Sequence, residues 1–153
     1  MLGFRKLWKS IVEWGKPVYK EHPFFGLVVD NDTFVTVQRL FPPLQYVVEL
    51  LVDVDGTGKN EHAETWYKWI VANYLTIAIA AKRTHLEAMV HWEAAPPEAD
   101  YENSLHLEAI TIPVEAFSSS GRWSLSYYDD KYLCHWLTLE MKGLRVVEYM
   151  VDG

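Results

Sequence analysis

The chain has 153 residues, half of them hydrophobic and 14% aromatic, with 21 acidic against 14 basic side chains and a formal net charge of −7. That length suits one domain built on one sizeable core. The acidic balance argues against nucleic acid, whose phosphates call for a basic patch, and suits a protein partner with a basic surface.

Cys134 is the only cysteine, so no disulfide can close within these residues and nothing points to an oxidising compartment; a cytoplasmic location is expected. The chain carries seven Trp and nine Tyr. Most are expected in the core, and any left outside are the anchors that partner proteins favour.

The sequence opens MLGFRKLWKSIVEWGKP. Phe4, Leu7, Trp8, Ile11 and Val12 recur at helical spacing, with Arg5, Lys6 and Lys9 near the other side. Residues 1–16 are therefore expected as an amphipathic helix packed on the domain and ended by Pro17. Charges interrupt every apolar run, which excludes a secretory signal or a membrane span here. Residues 22–54 are expected as strands. Runs 24–29 and 34–40 form a hairpin around Asp30, Asn31 and Asp32, and the valine-rich run 45–54 follows Pro42 and Pro43.

Residues 61–93 read as helical. Trp66, Ile70, Tyr74, Ile77 and Ala81 fall on one face, and Trp69, Val71, Leu75, Ala78 and Ile79 widen it until little polar surface remains. A helix covered on most sides is expected. A single helix over 61–92 would be about 48 Å long, more than the width expected of such a domain. A break is therefore predicted near residues 82–85, with a second helix over 84–93.

Residues 94–104 hold Pro96, Pro97 and several acids, which predicts a surface loop. Four strand-like runs follow, 105–114, 122–128, 131–141 and 144–151, joined by connections too short for parallel crossovers, so residues 105–151 are expected as an antiparallel meander. Run 131–141 is apolar on both faces and reads as central. Run 122–128 alternates Arg122, Ser124 and Ser126 with Trp123, Leu125 and Tyr127, the pattern of a strand wet on one face. The whole is expected as a single α+β domain over 1–153, an antiparallel sheet packed on a central buried helix.

One stretch has metal-site spacing. In DVDGTGKNEHAE, residues 53–64, Asp53, Asp55, Thr57, Gly58, Glu61 and Glu64 take the ligand and bend positions of a calcium-binding EF-hand loop. Against calcium, Asn60 stands where an apolar residue would pair a second hand, no second loop exists, and QYVVELLV before it favours a strand. A strand-to-helix turn, with acids favoured at the helix start by its dipole, explains the same residues. None of the six histidines has HExxH spacing. Glu87 and His91 read as a surface ion pair, and His135 as a core histidine on the face of Leu133 and Leu137. Cys134 and His135 point to opposite faces of a strand and cannot form a dyad. Without a phosphate-binding glycine loop or a nucleophile elbow, no catalytic constellation supports an enzyme.

The order of features carries a resemblance. Phe25 and Gly26 in an early strand, then VVELLVDV, an acidic glycine turn, the aromatic helix ETWYKWIVANYL and the closing WSLSYYDDKYLCHWLTLEMKG together resemble small bacterial α+β domains of unknown function. Relatives of these domains are encoded beside toxins in bacterial conflict systems. Tyr127, Tyr128, Asp129, Asp130 and His135 match their tyrosine- and acid-rich final hairpin. The resemblance covers most of residues 24–151 and implies an immunity or partner-binding role. The expected function is thus a non-enzymatic protein-binding module that occludes a toxin. Glu93, Glu98, Asp100, Tyr101, Glu102, Tyr128, Asp129 and Asp130 are its candidate contacts. A small-ligand protein using a pocket between helix and sheet, or a calcium-binding one using Asp53, Asp55, Thr57, Glu61 and Glu64, and a structural or adaptor subunit that could self-associate, are the alternatives.

Overall fold

A computed structural model describes residues 16–91, 104–131 and 134–152. Eight strands form one sheet in sequence order: β1 (Val18–His22), β2 (Gly26–Asp30), β3 (Phe34–Phe41), β4 (Tyr46–Asp53), β5 (Leu105–Ile112), β6 (Arg122–Asp129), β7 (Trp136–Lys142) and β8 (Arg145–Asp152). A 29-residue helix, α1 (Ala63–His91), lies between β4 and β5 in the chain. The fold is α+β, and its sheet is mixed, because β4 and β5 pair parallel while every other neighbouring pair is antiparallel. The helix supplies the long return that a parallel pair requires. From β5 to β8 the strands follow one another as the expected meander.

One strand was not foreseen. VYKEH pairs along its length with β2, but its side chains are mostly exposed, so no apolar alternation marks it. Lys20 ties it down through Asp30 at 3.1 Å and the carbonyl of Gly58 at 3.2 Å.

The helix corrects two expectations. It runs unbroken through residues 82–85. Thr84, His85, Ala88 and Met89 continue the buried stripe of Trp66, Ile70, Tyr74, Ile77 and Ala81, and Thr84 Oγ1 donates back to the carbonyl of Ala80. Eight strands also make a sheet about 34 Å wide at about 4.8 Å per spacing, enough to seat most of a helix about 43 Å long. Nor is the helix covered on most sides. Leu75, Ile79 and Val90 are 79%, 57% and 68% exposed, because only one face of α1 meets the sheet.

The core lies between that face and one side of the sheet: Val35 and Phe41 of β3, Val48, Leu50 and Val52 of β4, Leu107, Ile110 and Ile112 of β5, Trp123, Leu125 and Tyr127 of β6, and Leu137, Leu139 and Met141 of β7. Rings interlock over its first half. Phe41 stands edge-on to Tyr74 at 4.9 Å and Trp66 edge-on to Phe117 at 5.1 Å. Trp66 Nε1 donates to the carbonyl of Glu115, and Trp123 Nε1 to that of Gly143, so both indoles are buried with their polar atom satisfied. The predicted N-terminal helix over residues 1–16 falls almost wholly outside the described residues, as does most of the predicted loop over 94–104.

Candidate functional site

The side of the sheet away from the helix follows from strand alternation and register. Across β3 to β8, Thr36, Leu51, Thr111, Ser124, Glu140 and Glu148 stand in one row, and Gln38, Glu49, Ala109, Ser126, Thr138 and Met150 in the next. A bulge at Glu108 keeps the two sides in phase, since Leu107 pairs with Tyr127 but Ala109 with Ser126. Small side chains occupy the middle of both rows, and the face is hollow there.

The hollow is a cleft of about 790 Å³ walled by Phe34 and Leu51 on one flank and by Glu140, Met150 and Asp152 on the other. Its floor is Thr111, Ser124, Ser126 and Thr138, with the Ser126 and Thr138 hydroxyls 3.2 Å apart. Thr36, Leu51, Ala109 and Ser124 are buried although no helix of the described residues lies over them. Among the described residues, four lining side chains are acidic, Asp53, Glu115, Glu140 and Asp152, and one is basic, Arg122.

Asp53 and Glu140 in the cleft, and Glu49 in the row beside it, resist ionisation. Burial, then the neighbouring charge of Glu115, raises the pKa of Asp53 above the usual carboxylate range. Burial and Glu148 do the same to Glu140, with Arg122 partly opposing, and burial and Glu108 to Glu49. A half-dry cleft holding several carboxylates and one guanidinium lacks positive charge, and a cation placed there would relieve both desolvation and like-charge repulsion. Tyr128 and Trp136 share this face beyond the cleft, with ring centroids 5.3 Å apart, and supply an aromatic margin.

The sequence-predicted contacts separate in space. Tyr128 is half-buried on the cleft face, and Asp130 is exposed, 3.3 Å from His106 Nε2. Asp129 is not a surface contact. It is 0% exposed on the helix side, where Oδ2 lies 2.7 Å from His85 Nε2 and Oδ1 accepts from the Lys131 amide. Its role is to fasten the end of β6 to α1. His135 is not in the core; Leu137, Leu139 and Met141 fill that face, while His135 sits in the β6–β7 turn with Nδ1 2.8 Å from the Cys134 carbonyl. Glu93, Glu98, Asp100, Tyr101 and Glu102 lie outside the described residues.

The calcium-loop residues do not converge. Asp53 lines the cleft, and its carbonyl accepts from Asn60 Nδ2. One Asp55 oxygen is taken by the Thr57 amide and hydroxyl and the Lys59 amide, bonds that hold its pKa low. Glu64 pairs with Lys68 one helical turn on, and Glu61 is exposed. Asn60, which spoiled the calcium pattern, is buried and also donates to the Pro113 carbonyl at 2.8 Å, so it locks the β4–α1 turn to the end of β5. Among the described residues, no group of three or more His, Cys, Asp and Glu side chains gathers to hold a metal ion, and no helix is long and apolar enough to cross a membrane.

Sequence reasoning put Arg122, Ser124 and Ser126 on one face of β6, which is the cleft face, but expected it wet where Ser124 is buried, and it missed Glu115, Glu140 and Asp152. The one local signal was Glu140, the lone acid in the largely apolar run 131–141. No protein-family model matches the chain, and neither a curated protein nor a solved structure matches it.

Proposed function

We propose that the chain is a non-enzymatic protein-binding module that takes a basic segment of a partner on its acidic cleft, and that the partner is a bacterial toxin which the chain neutralises as an immunity protein. The observation that carries the binding reading is the cleft itself, a groove of four carboxylates against one guanidinium among the described lining. An overall charge of −7 adds long-range attraction for a basic surface. Tyr128 and Trp136 at the margin offer aromatic anchors. The choice of a toxin rests on the resemblance of the chain to domains encoded beside toxins.

The test is to read the genes on either side of this one and to mix the purified chain with the product of a neighbour that encodes a toxin domain; the lack of any such neighbour counts against the toxin. Binding and inhibition are expected. Glu140→Lys and Asp53→Lys should each weaken binding by about tenfold or more, in the range of losing a charge pair at an interface. A toxin that is neither bound nor inhibited overturns the reading. The volume of the cleft favours a second reading, a small cationic ligand, because 790 Å³ is within the range of small-molecule sites. Calorimetric titration with spermidine, giving saturable heat that Glu140→Gln removes, would favour it over a protein partner.

A further inference from the structure

Among the described residues the sheet is open, with β1 and β8 as its two edges. β1 is five residues long and carries Lys20 and Glu21, and a short charged edge discourages a further strand. β8 is eight residues long, RVVEYMVD, with neither lysine nor proline. Its Arg145, Val147, Glu148, Tyr149 and Met150 are exposed, and among the described strands it pairs with β7 alone. A long apolar edge of this kind is a template for one more strand.

The sequence of β8 is complementary to itself once its bulge is counted. Val147 is the extra residue, since Glu140 pairs with Glu148 but Met141 with Val146. Directly opposed residues share a face, so Arg145, Glu148, Met150 and Asp152 lie on the cleft side of the sheet and Val146, Tyr149 and Val151 on the helix side. A second β8 laid antiparallel along the outer edge, about a two-fold axis through Tyr149 and normal to the sheet, keeps both faces in phase. Tyr149 then meets its own copy, Glu148 meets Met150, Val146 meets Val151 and Arg145 meets Asp152, with Val147 bulging from both strands. A shift of the axis to Glu148 would set that acid against itself, and a shift to Met150 would set it against Asp152. Among the described residues neither Arg145 nor Asp152 has an ion-pair partner of its own.

We propose that two copies of this chain pair through β8 into a symmetric dimer with one continuous sheet. The occupant is fixed by charge, because the arrangement places Arg145 opposite Asp152 at both ends of the joint and no like charges directly opposite. Space is present on the helix side, where a groove of about 480 Å³ between Ala80, Arg83 and Glu87 of α1 and Val147 and Tyr149 of β8 admits the incoming Tyr149. Met150 and Asp152 form part of the cleft wall, so the joint sets the two clefts side by side on one face of the dimer.

The experiment is analytical ultracentrifugation of the full chain. It is expected to sediment at the mass of one chain near about 1 μM and at twice that mass by about 0.5 mM. Arg145→Asp and Asp152→Arg each place like charges opposite one another at both ends and are expected to weaken the dimer about tenfold or more. Both positions lie outside the core, and circular dichroism checks that the fold is kept. Mixed in equal amounts, the two variants are expected to regain the dimer, because each end of the mixed pair again joins opposite charges. A single mass across the whole concentration range, a dimer that both variants keep when alone, or a mixture that stays monomeric overturns the proposal. The cleft reading is tested separately, at Glu140 and Asp53.

Discussion

At the scale of single residues, the buried pair of His85 and Asp129 matters most, because its two side chains are 2% and 0% exposed and bridge α1 to the end of β6. Removing Asp129 would strand the imidazole and leave the Lys131 amide without its acceptor. Asp129→Ala is expected to destabilise the fold by roughly 3–5 kcal/mol, the cost of breaking a buried pair from one side. Asp129→Asn keeps an acceptor and should lose clearly less; equal urea midpoints for the two variants would sink this account. Gly121 is constrained by space. A Cβ there would stand 2.6 Å from the Trp66 ring and 3.1 Å from the Ser118 carbonyl. Gly121→Ala should lose about 1–3 kcal/mol through overpacking, and chemical denaturation would show it. Neither feature was legible beforehand: Asp129 sat in a YYDD turn that looked solvated, and His85 lay where the helix was expected to break.

At the scale of elements, α1 separates what periodicity reveals from what it conceals. The stripe from Trp66 to Ala81 was readable because buried positions on a helix recur at three and four, and each member is buried in the structure. Leu75 and Ile79 looked equally apolar, but no element of the described residues reaches their side of the helix, and a sequence does not say how many neighbours a helix has. Ile77→Ala should therefore cost about 2–5 kcal/mol by emptying core volume. Leu75→Ala should change stability by less than about 0.5 kcal/mol, as expected for an exposed site. Thermal melts of the two variants decide it; comparable losses would mean that the outer face is covered after all. The strands divide in the same way. β6 announced itself by alternation, and β7 and β8 by apolar runs between tight turns, whereas β1 holds its place by backbone pairing and Lys20 and left no apolar trace.

At the scale of the whole molecule, the cleft was illegible as a unit because its walls come from strands far apart in the chain, with Asp53 on β4 and Glu140 on β7, and no local motif joins them. Its acids nonetheless dictate a response to pH. Asp53 and Glu140 of the cleft, and Glu49 in the row beside it, have folded-state pKa values raised chiefly by burial. The folded state therefore binds protons before the unfolded chain does, and these groups add stability as pH falls through their raised values toward the ordinary carboxylate range. Asp55 works the other way, since its lowered pKa contributes stability that is lost only at still lower pH. The melting temperature is thus expected to rise as pH falls from neutral toward the ordinary carboxylate range and to fall again below that range. The triple variant Glu49→Gln, Asp53→Asn and Glu140→Gln should melt higher than the unchanged chain at pH 7 and show a flatter rise. Binding of a basic partner should respond with the opposite sign. A cation in the cleft holds these carboxylates ionised, so its affinity is greatest above their raised pKa values and drops as they take up protons. Titrations of one partner at pH 7 and at about pH 5, with melts recorded alongside, separate the two effects. A partner that binds equally at both pH values does not use the cleft acids, whatever the melts show.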